Sequence, residues 1–231
     1  MYIMRKVNLL LFAIFTGLAC VVSSCEEEDE GLKSPKFHNG HEYVDLGLSV
    51  MWAKCNVGAS SPEQSGGYFA WGETSSKEWF GWDNYVHTSN GSVLGINKYC
   101  DGSYGDVVDY KWFLDSCDDA ACVVWGGDWR MPTPNEAWEL HNECEWEWTG
   151  NGCLVTGPNG NSIFLPAAGY YWRGEKPVRD LNKGGLYWTN GLSEWTYCAM
   201  YIPVGPSKSG VTWTDRAWGG SIRPVLSKNK K

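Results

Sequence analysis

Beyond Glu42, the apolar residues of this 231-residue chain come in short runs that glycine, asparagine, aspartate and proline interrupt. Runs of about four to eight residues between such turn formers are typical of strands, and they are too short for most helices. The run on either side of Asn159-Gly160 predicts a hairpin, because both turn residues tolerate positive φ. We expect extended segments at 42–46, 48–53, 67–72, 153–156, 162–165, 186–189, 195–203, 211–214 and 221–226.

Two segments carry helix signals instead. Asp118 or Asp119 is placed to cap a short helix over 120–125, which Gly126-Gly127 ends. The second signal is stronger, because Thr133-Pro134-Asn135-Glu136 combines an N-cap threonine, a proline at the first helical position and a glutamate at the third. The spacing predicts a buried stripe of Ala137, Leu140 and Cys144 and a solvated face of Glu136, Glu139 and Glu143. Strands and two helices together predict a single α+β domain.

The first 24 residues have the pattern of an export signal. Arg5 and Lys6 precede an apolar stretch over 7–22, which is shorter than the roughly 20 apolar residues of a spanning helix. Val22-Ser23-Ser24-Cys25 is similar to a lipobox, so we expect cleavage before Cys25 and lipidation of its thiol, for example with palmitate. Cys20 is the competing site, but Gly17 stands where a branched apolar residue is expected.

An acidic run follows Cys25 at 26–30, and like charges of this density stay solvated and extended. We interpret 25–39 as a lipid-anchored spacer before a globular domain at 40–226, with a basic tail at 227–231. An acidic run directly after a lipidated cysteine resembles the export signal of surface lipoproteins. The expected location is therefore the outer membrane, lipid-anchored and exposed at the cell surface, with the membrane contacted through the anchor alone.

The charge balance excludes nucleic acid as the expected partner. Removal of 1–24 leaves 17 basic against 27 acidic residues, a net charge of −10. Nucleic-acid binding needs a basic face, and the one basic cluster is the tail 228–231. Seven cysteines remain after Cys25, so at least one thiol stays unpaired in any disulfide scheme, and the sequence leaves the pairing open. Several of them are expected as buried free thiols.

Several motifs resemble one family as a set. They are 40–50, Trp71-Gly72-Glu73-Thr74, 125–133, Gly157-Pro158-Asn159-Gly160, 165–169 and Arg223-Pro224-Val225. These residues resemble the Fibrobacter succinogenes major paralogous domain family of surface lipoproteins over nearly all of 40–226. The resemblance implies the C-type-lectin-like fold that formylglycine-generating enzymes share. A fold by itself implies no activity.

The enzyme alternative depends on thiols. The formylglycine-generating enzymes hold copper through two cysteines near the C-terminus, whereas Cys198 is the sole cysteine after Cys153 here. The four histidines belong to no hydrolase motif, and His141 on the second helix is expected to be a partly buried structural residue. Glu175-Lys176-Pro177 and Trp213-Thr214-Asp215 are only faintly similar to calcium-lectin motifs. We therefore predict no catalytic residue, no metal and no cofactor.

Aromatic residues carry the functional prediction. Fifteen Trp and twelve Tyr exceed ordinary usage, and flat rings with polar edges suit sugars and protein interfaces. Five tryptophans lie within the family-like strand and helix segments and are expected in the core: Trp52, Trp71, Trp125, Trp129 and Trp188. Loop residues of the C-terminal half are the candidate ligand contacts: Trp172, Arg173, Trp195, Trp213, Asp215, Arg216 and Trp218.

These observations predict a non-catalytic surface lipoprotein that recognises a glycan or a cell-surface protein through C-terminal loops. The alternatives are a structural or adhesive subunit of a surface complex and an oxidoreductase similar to the formylglycine-generating enzymes. A ligand-binding protein requires an exposed aromatic surface, a structural subunit a broad apolar patch, and the oxidoreductase two thiols within reach of one metal.

Overall fold

The computed structural model describes residues 34–105, 107–173 and 178–228. The predicted signal peptide, Cys20, Cys25 and the acidic run lie outside the described residues, as do Glu175-Lys176-Pro177. Residues from Pro35 onward form one compact unit. Its helices and strands, in chain order, are β1 Lys36–His38, β2 His41–Val44, β3 Val50–Ala53, α1 Ala120–Trp125, α2 Pro134–Glu143, β4 Glu145–Trp148, β5 Gly152–Thr156, β6 Ser162–Pro166, β7 Gly185–Leu192, β8 Cys198–Val204, β9 Thr212–Asp215 and β10 Val225–Ser227.

The strands form three antiparallel sheets, with orders β1-β2-β3-β10, β4-β5-β6 and β7-β8-β9. The first sheet pairs the beginning of the described chain with its end, since Val225 lies opposite Trp52. Buried Arg223 links this sheet to the second one, because its guanidinium donates to the carbonyls of Ala53 and Phe164. The α+β class predicted from the sequence is therefore confirmed.

Both predicted helices are present, and their caps explain where they start. The Asp119 carboxylate accepts from Ala121 N–H and Cys122 N–H, so Asp119 is the N-cap of α1 rather than Asp118. In α2, the Thr133 hydroxyl accepts from Glu136 N–H while the Glu136 carboxylate accepts from Thr133 N–H. The capping box is therefore confirmed, and it satisfies backbone donors that the helix start leaves without partners.

The helix faces differ partly from the prediction. Ala137, Leu140 and Cys144 are buried as expected. Glu136, however, is mostly buried and forms a bidentate ion pair with Arg130. Glu139 is half-buried and accepts from Ser49 N–H at 2.8 Å. The predicted solvated face is thus wrong for these two residues, because loops outside the helix pack over them.

Three predicted strands and the start of the domain also differ from the prediction. Residues 67–72 form no strand and make one bridge, Phe69 to Gly220, between positive-φ glycines at 66 and 72. The strand expected from Trp195 begins at Cys198, and the strand expected over 221–226 reduces to Val225–Ser227. The domain starts before Gly40, because Asn39 and Gly40 form the positive-φ turn of the β1–β2 hairpin.

Two apolar clusters form most of the core. One packs α2 against all three sheets through Leu140, Trp52, Val155 and Tyr187. The other surrounds α1 and contains Trp71, Trp125, Trp129 and Trp188. Core burial of the five tryptophans named above is confirmed, with exposed fractions of 0–7%. Truncation of such a ring to alanine typically costs about 3–5 kcal/mol, so these rings are a major source of stability.

Candidate functional site

The connection between β7 and β8 holds Trp195 against β9, an edge strand of its sheet. The Ser193 hydroxyl donates to the Trp195 carbonyl at 3.0 Å and accepts from Trp195 N–H at 3.1 Å. Cys198 N–H donates to the same carbonyl at 2.8 Å. This turn places the Trp195 ring edge to face with that of Trp213, with ring centroids 4.5 Å apart. Their side chains are 38% and 43% exposed, so both indoles present apolar surface to solvent.

A second segment, 107–114, runs beside this connection. Leu192 N–H donates to the Trp112 carbonyl and Leu114 N–H donates to the Asn190 carbonyl, both at 2.9 Å. Phe113 also forms an isolated bridge with Gly191. Farther along, Val108 bridges to Asp101, whose carboxylate accepts from the hydroxyl of Thr196 at 3.5 Å. These contacts fix the segment along the C-terminal end of β7 and close to Thr196, which follows Trp195.

Five exposed aromatic side chains lie on the 107–114 segment, the β7–β8 connection and β9, and we name them the aromatic patch: Tyr110, Trp112, Phe113, Trp195 and Trp213. Their exposed fractions range from 37% to 69%. Exposed Val107 and Val108 adjoin the patch along the chain. Single exposed apolar residues are ordinary, but neighbouring ones mark sites of interaction. Because Trp195 and Trp213 are both exposed and in contact, the aromatic patch that contains them is the candidate functional site.

Three other predicted contacts gather in a separate group. Trp218 stacks on Tyr170, with ring centroids 5.6 Å apart, and meets Trp172 at 5.9 Å. The guanidinium of Arg179 lies 4.0 Å from the centroid of Trp172, and that of exposed Arg173 lies at 5.8 Å. Trp172 and Trp218 are half-buried, so cation–π and ring contacts cover much of their surface.

Asp215 is half-buried, and both of its carboxylate oxygens have donors. Trp82 Nε1 donates to Oδ2 at 2.9 Å, and Ala217 N–H donates to Oδ1 at 3.0 Å. Burial raises the pKa of Asp215 above its usual range, although these hydrogen bonds and the nearby Arg173 oppose that rise. Asp215 therefore fixes the end of β9.

Arg216 requires a correction, because its side chain has no exposed surface. Its guanidinium donates to the carbonyls of Tyr99 and Thr196 at 3.0 Å each and to that of Lys98 at 2.9 Å. It also lies over the ring of Trp71. The prediction of Arg216 as a ligand contact is wrong: the residue joins the 98–99 loop to the third sheet.

A polar cleft of about 290 Å³ lies elsewhere, lined by Glu73, Lys77, His87 and Asp118 among others. Lys77 Nζ donates to Glu73 at 2.8 Å, and Asp118 accepts from Tyr99 Oη at 2.5 Å. Burial lowers the pKa of His87, whose Nε2 lies 3.0 Å from the Gly72 carbonyl. These charges are matched within the network, so we assign the cleft no chemistry.

The thiols offer little for redox chemistry. All seven cysteines of the described residues are free. Burial raises the pKa of Cys198 to about 12 and the pKa values of Cys122 and Cys144 to about 11, which disfavours the thiolates that bind metals. The described residues contain one group with metal-binding spacing, Asp115, Cys117 and Asp118, in which both carboxylates already pair with lysines.

The sequence patterns indicated Trp195 and Trp213 but not the other three aromatic residues of the patch. Residues 73–116 read as an irregular surface excursion, and no local motif linked them to the C-terminal half. A usable signal was present, however, because Tyr110, Trp112 and Phe113 place three aromatic residues within a polar stretch. His141 is half-buried as predicted, with Trp138 edge-on at 5.6 Å.

Protein-family models, curated proteins and solved structures were each compared with this chain, and none of them matched. Within the part of the chain that the structure describes, no helix has the length and apolar character needed to cross a membrane.

Proposed function

We propose that this chain is a non-catalytic recognition domain that binds a glycan through the aromatic patch. In this proposal, the protein is exported, lipidated at Cys25 and held on the outer face of the outer membrane. The lipobox-like Val22-Ser23-Ser24-Cys25 and the acidic run that follows it support that location.

One observation carries the glycan assignment: the exposed edge-to-face pair of Trp195 and Trp213. The apolar C–H face of a sugar ring packs on an indole, while its hydroxyl groups need polar partners at the ring edge. Exposed Glu194 and half-buried Asp101 stand beside Trp195 and Thr196 and offer carboxylate acceptors. Because a turn and a strand fix both rings, ordering them on binding costs little entropy.

We also propose that the domain has the C-type-lectin-like fold. Pairing of the N-terminal strands β1–β3 with the C-terminal strand β10 supports this assignment. So does the α1 segment, which leads through Arg130-Met131-Pro132-Thr133 into α2. Together with the family-like motifs, these features support the proposed fold.

A second candidate function, a structural or adhesive subunit, is favoured by one feature of the surface. Exposed Val107 and Val108 precede Tyr110 in the chain and add aliphatic surface to the 107–114 segment. Aliphatic side chains suit a protein partner better than a sugar, because they offer no flat face for stacking. Protein binding is therefore the competing outcome of the experiment below.

The test is a glycan and mucin array probed with the fragment 35–231, which contains the whole compact unit. Variants Trp213→Ala and Trp195→Ala are expected to lose at least tenfold in affinity, as is typical when an anchoring aromatic is removed. Trp79→Ala is the matched control, because Trp79 is 49% exposed and lies outside the patch.

Thermal unfolding of each variant separates loss of binding from loss of folding. Equal losses in all three variants, or binding that survives both patch substitutions, would contradict the proposal. Absence of glycan binding, together with pull-down of one cell-surface protein that Trp213→Ala abolishes, would instead support the adhesive function.

A further inference from the structure

We propose that the glycan recognised by the aromatic patch is uncharged, because two carboxylates beside Trp195 have no cationic partner among the described residues. This inference rests on the proposed function. It concerns which class of sugar that surface accepts.

Two carboxylates stand beside the Trp195 turn. Glu194 precedes Trp195 and is exposed, with no ion pair among the described residues. Asp101 accepts from Ser103 N–H at 2.9 Å and from the Thr196 hydroxyl at 3.5 Å. The hydrogen bond from Ser103 lowers the pKa of Asp101 below its usual range, so this side chain is ionised at neutral pH.

Two more carboxylates, those of Asp109 and Asp115, lie within or just after the 107–114 segment. Asp109 accepts backbone N–H donors from Tyr99, Cys100 and Lys111, which orient it next to Tyr110. Asp115 follows shortly after Phe113. Backbone donors occupy Asp109 and lysines pair with Asp115, so the carboxylates left to meet a sugar are the two beside the Trp195 turn.

The cationic side chains in this region are committed elsewhere. Lys111 Nζ lies 2.7 Å from the Asp115 carboxylate, and Lys98 pairs with both Asp118 and Asp115. Arg216 is buried, and its terminal N–H groups donate to backbone carbonyls. Glu194 and Asp101 thus keep their charge unmatched by any described lysine or arginine.

These carboxylates affect the binding of neutral and of anionic sugars differently. A neutral sugar donates hydroxyl hydrogen bonds to the carboxylates, which are strong acceptors because they are charged. A sialic acid carboxylate or a sulfate ester offers acceptors only and meets like charge. Near the protein surface Glu194 and Asp101 are each expected to weaken binding of an anionic sugar by about twofold at low salt, which makes about fourfold for the two carboxylates together.

The experiment titrates the full chain, purified in detergent micelles, with mucin glycans before and after enzymatic removal of sialic acid and sulfate. We expect the stripped glycans to bind about fourfold more tightly at low salt, with the difference falling to about twofold in about 0.3 M salt. Glu194→Gln is expected to reduce the difference by about twofold. The control Glu145→Gln, which removes an exposed charge from β4 in another sheet, is expected to leave it unchanged.

Equal or tighter binding of the charged glycans, still abolished by Trp213→Ala, would overturn the inference and leave the proposed function standing. A preference for stripped glycans that Glu194→Gln does not reduce would also overturn the inference, since the carboxylates would then not be the cause of that preference. Failure of both glycan pools to bind in a Trp213-dependent way would refute the proposed function, and this inference with it.

Discussion

The indole of Trp195 meets the indole of Trp213 at an angle of 80°, so that the edge of one ring points at the face of the other. Such contacts typically stabilise a protein by about 0.5–1.5 kcal/mol beyond the area they bury. Here the contact also ties the β7–β8 connection to an edge strand. The edge-to-face arrangement of the two rings is thus already present in the free protein. This favours binding of a ligand without rearrangement of the rings.

The coupling between these rings is measurable. In a double-mutant cycle of Trp195→Ala and Trp213→Ala, we expect a coupling free energy of about 0.5–1.5 kcal/mol in urea unfolding. The cycle of Trp195→Ala with Trp79→Ala is the control and should be additive, because those rings make no contact. Additivity within about 0.3 kcal/mol for the Trp195–Trp213 cycle would contradict the prediction.

Arg216 is predicted to act on stability. Arg216→Met removes the donors to three backbone carbonyls and should lower the free energy of unfolding by about 3 kcal/mol or more. Exposed Arg173→Met is the matched control, and its effect should stay within about 0.5 kcal/mol. Equal unfolding midpoints for the two variants would refute the structural role of Arg216.

The ion pair of Glu136 with Arg130 predicts a pH dependence. Burial alone would raise the pKa of Glu136, but the hydrogen bonds from Arg130 and Thr133 outweigh it and bring the pKa below the ordinary value of 4.5. The folded state therefore favours the charged form. The stabilisation that the Glu136 charge gives the folded state is fully present above about pH 4.5. It is lost as the pH falls through the lower pKa that Glu136 has in the folded protein.

We expect Glu136→Gln to cost about 1–3 kcal/mol at pH 7, since it removes a charged partner from a bidentate pair. Urea unfolding of both proteins between pH 7 and pH 3 should show this difference shrinking towards the acid end. A gap that stays constant over the range would show that the ionisation of Glu136 contributes nothing to folding stability.

The seven free thiols are predicted to differ in reactivity. Cys117 is exposed, whereas Cys100, Cys144, Cys153 and Cys198 are buried. An aromatic disulfide reagent should therefore modify Cys117 fastest, and Cys117→Ser should remove the fast phase while denaturant restores reaction of the buried thiols. Mass spectrometry of the labelled peptides checks the assignment, and fastest labelling of any buried cysteine would contradict it.

Short stretches of sequence are enough to predict some features of the fold. The capping box of α2 acts between Thr133 and Glu136, and the β5–β6 hairpin turns through Asn159-Gly160. The Asn39-Gly40 turn had the same signal, yet the domain was predicted to begin at Gly40. Recognition of that turn would have placed β1 inside the domain.

The segment 67–72 shows the opposite case. Its apolar and aromatic residues are typical of a strand, but Phe69 and Trp71 bond to Gly220 and Arg216 rather than to a neighbouring strand. β-propensity reports how well a residue fits a half-buried surface, and that surface here belongs to a loop. Tertiary packing therefore overrode the local preference.

The sequence by itself determined the α+β class, the two helices with their caps and the burial of five tryptophans, because these depend on contacts a few residues apart or on hydrophobicity alone. Only the tertiary structure decided that Trp112 and Phe113 lie beside the Trp195 turn, and that Arg216 lies inside while Trp213 lies outside. Such outcomes depend on which distant segments pack together, and no local spacing encodes that choice.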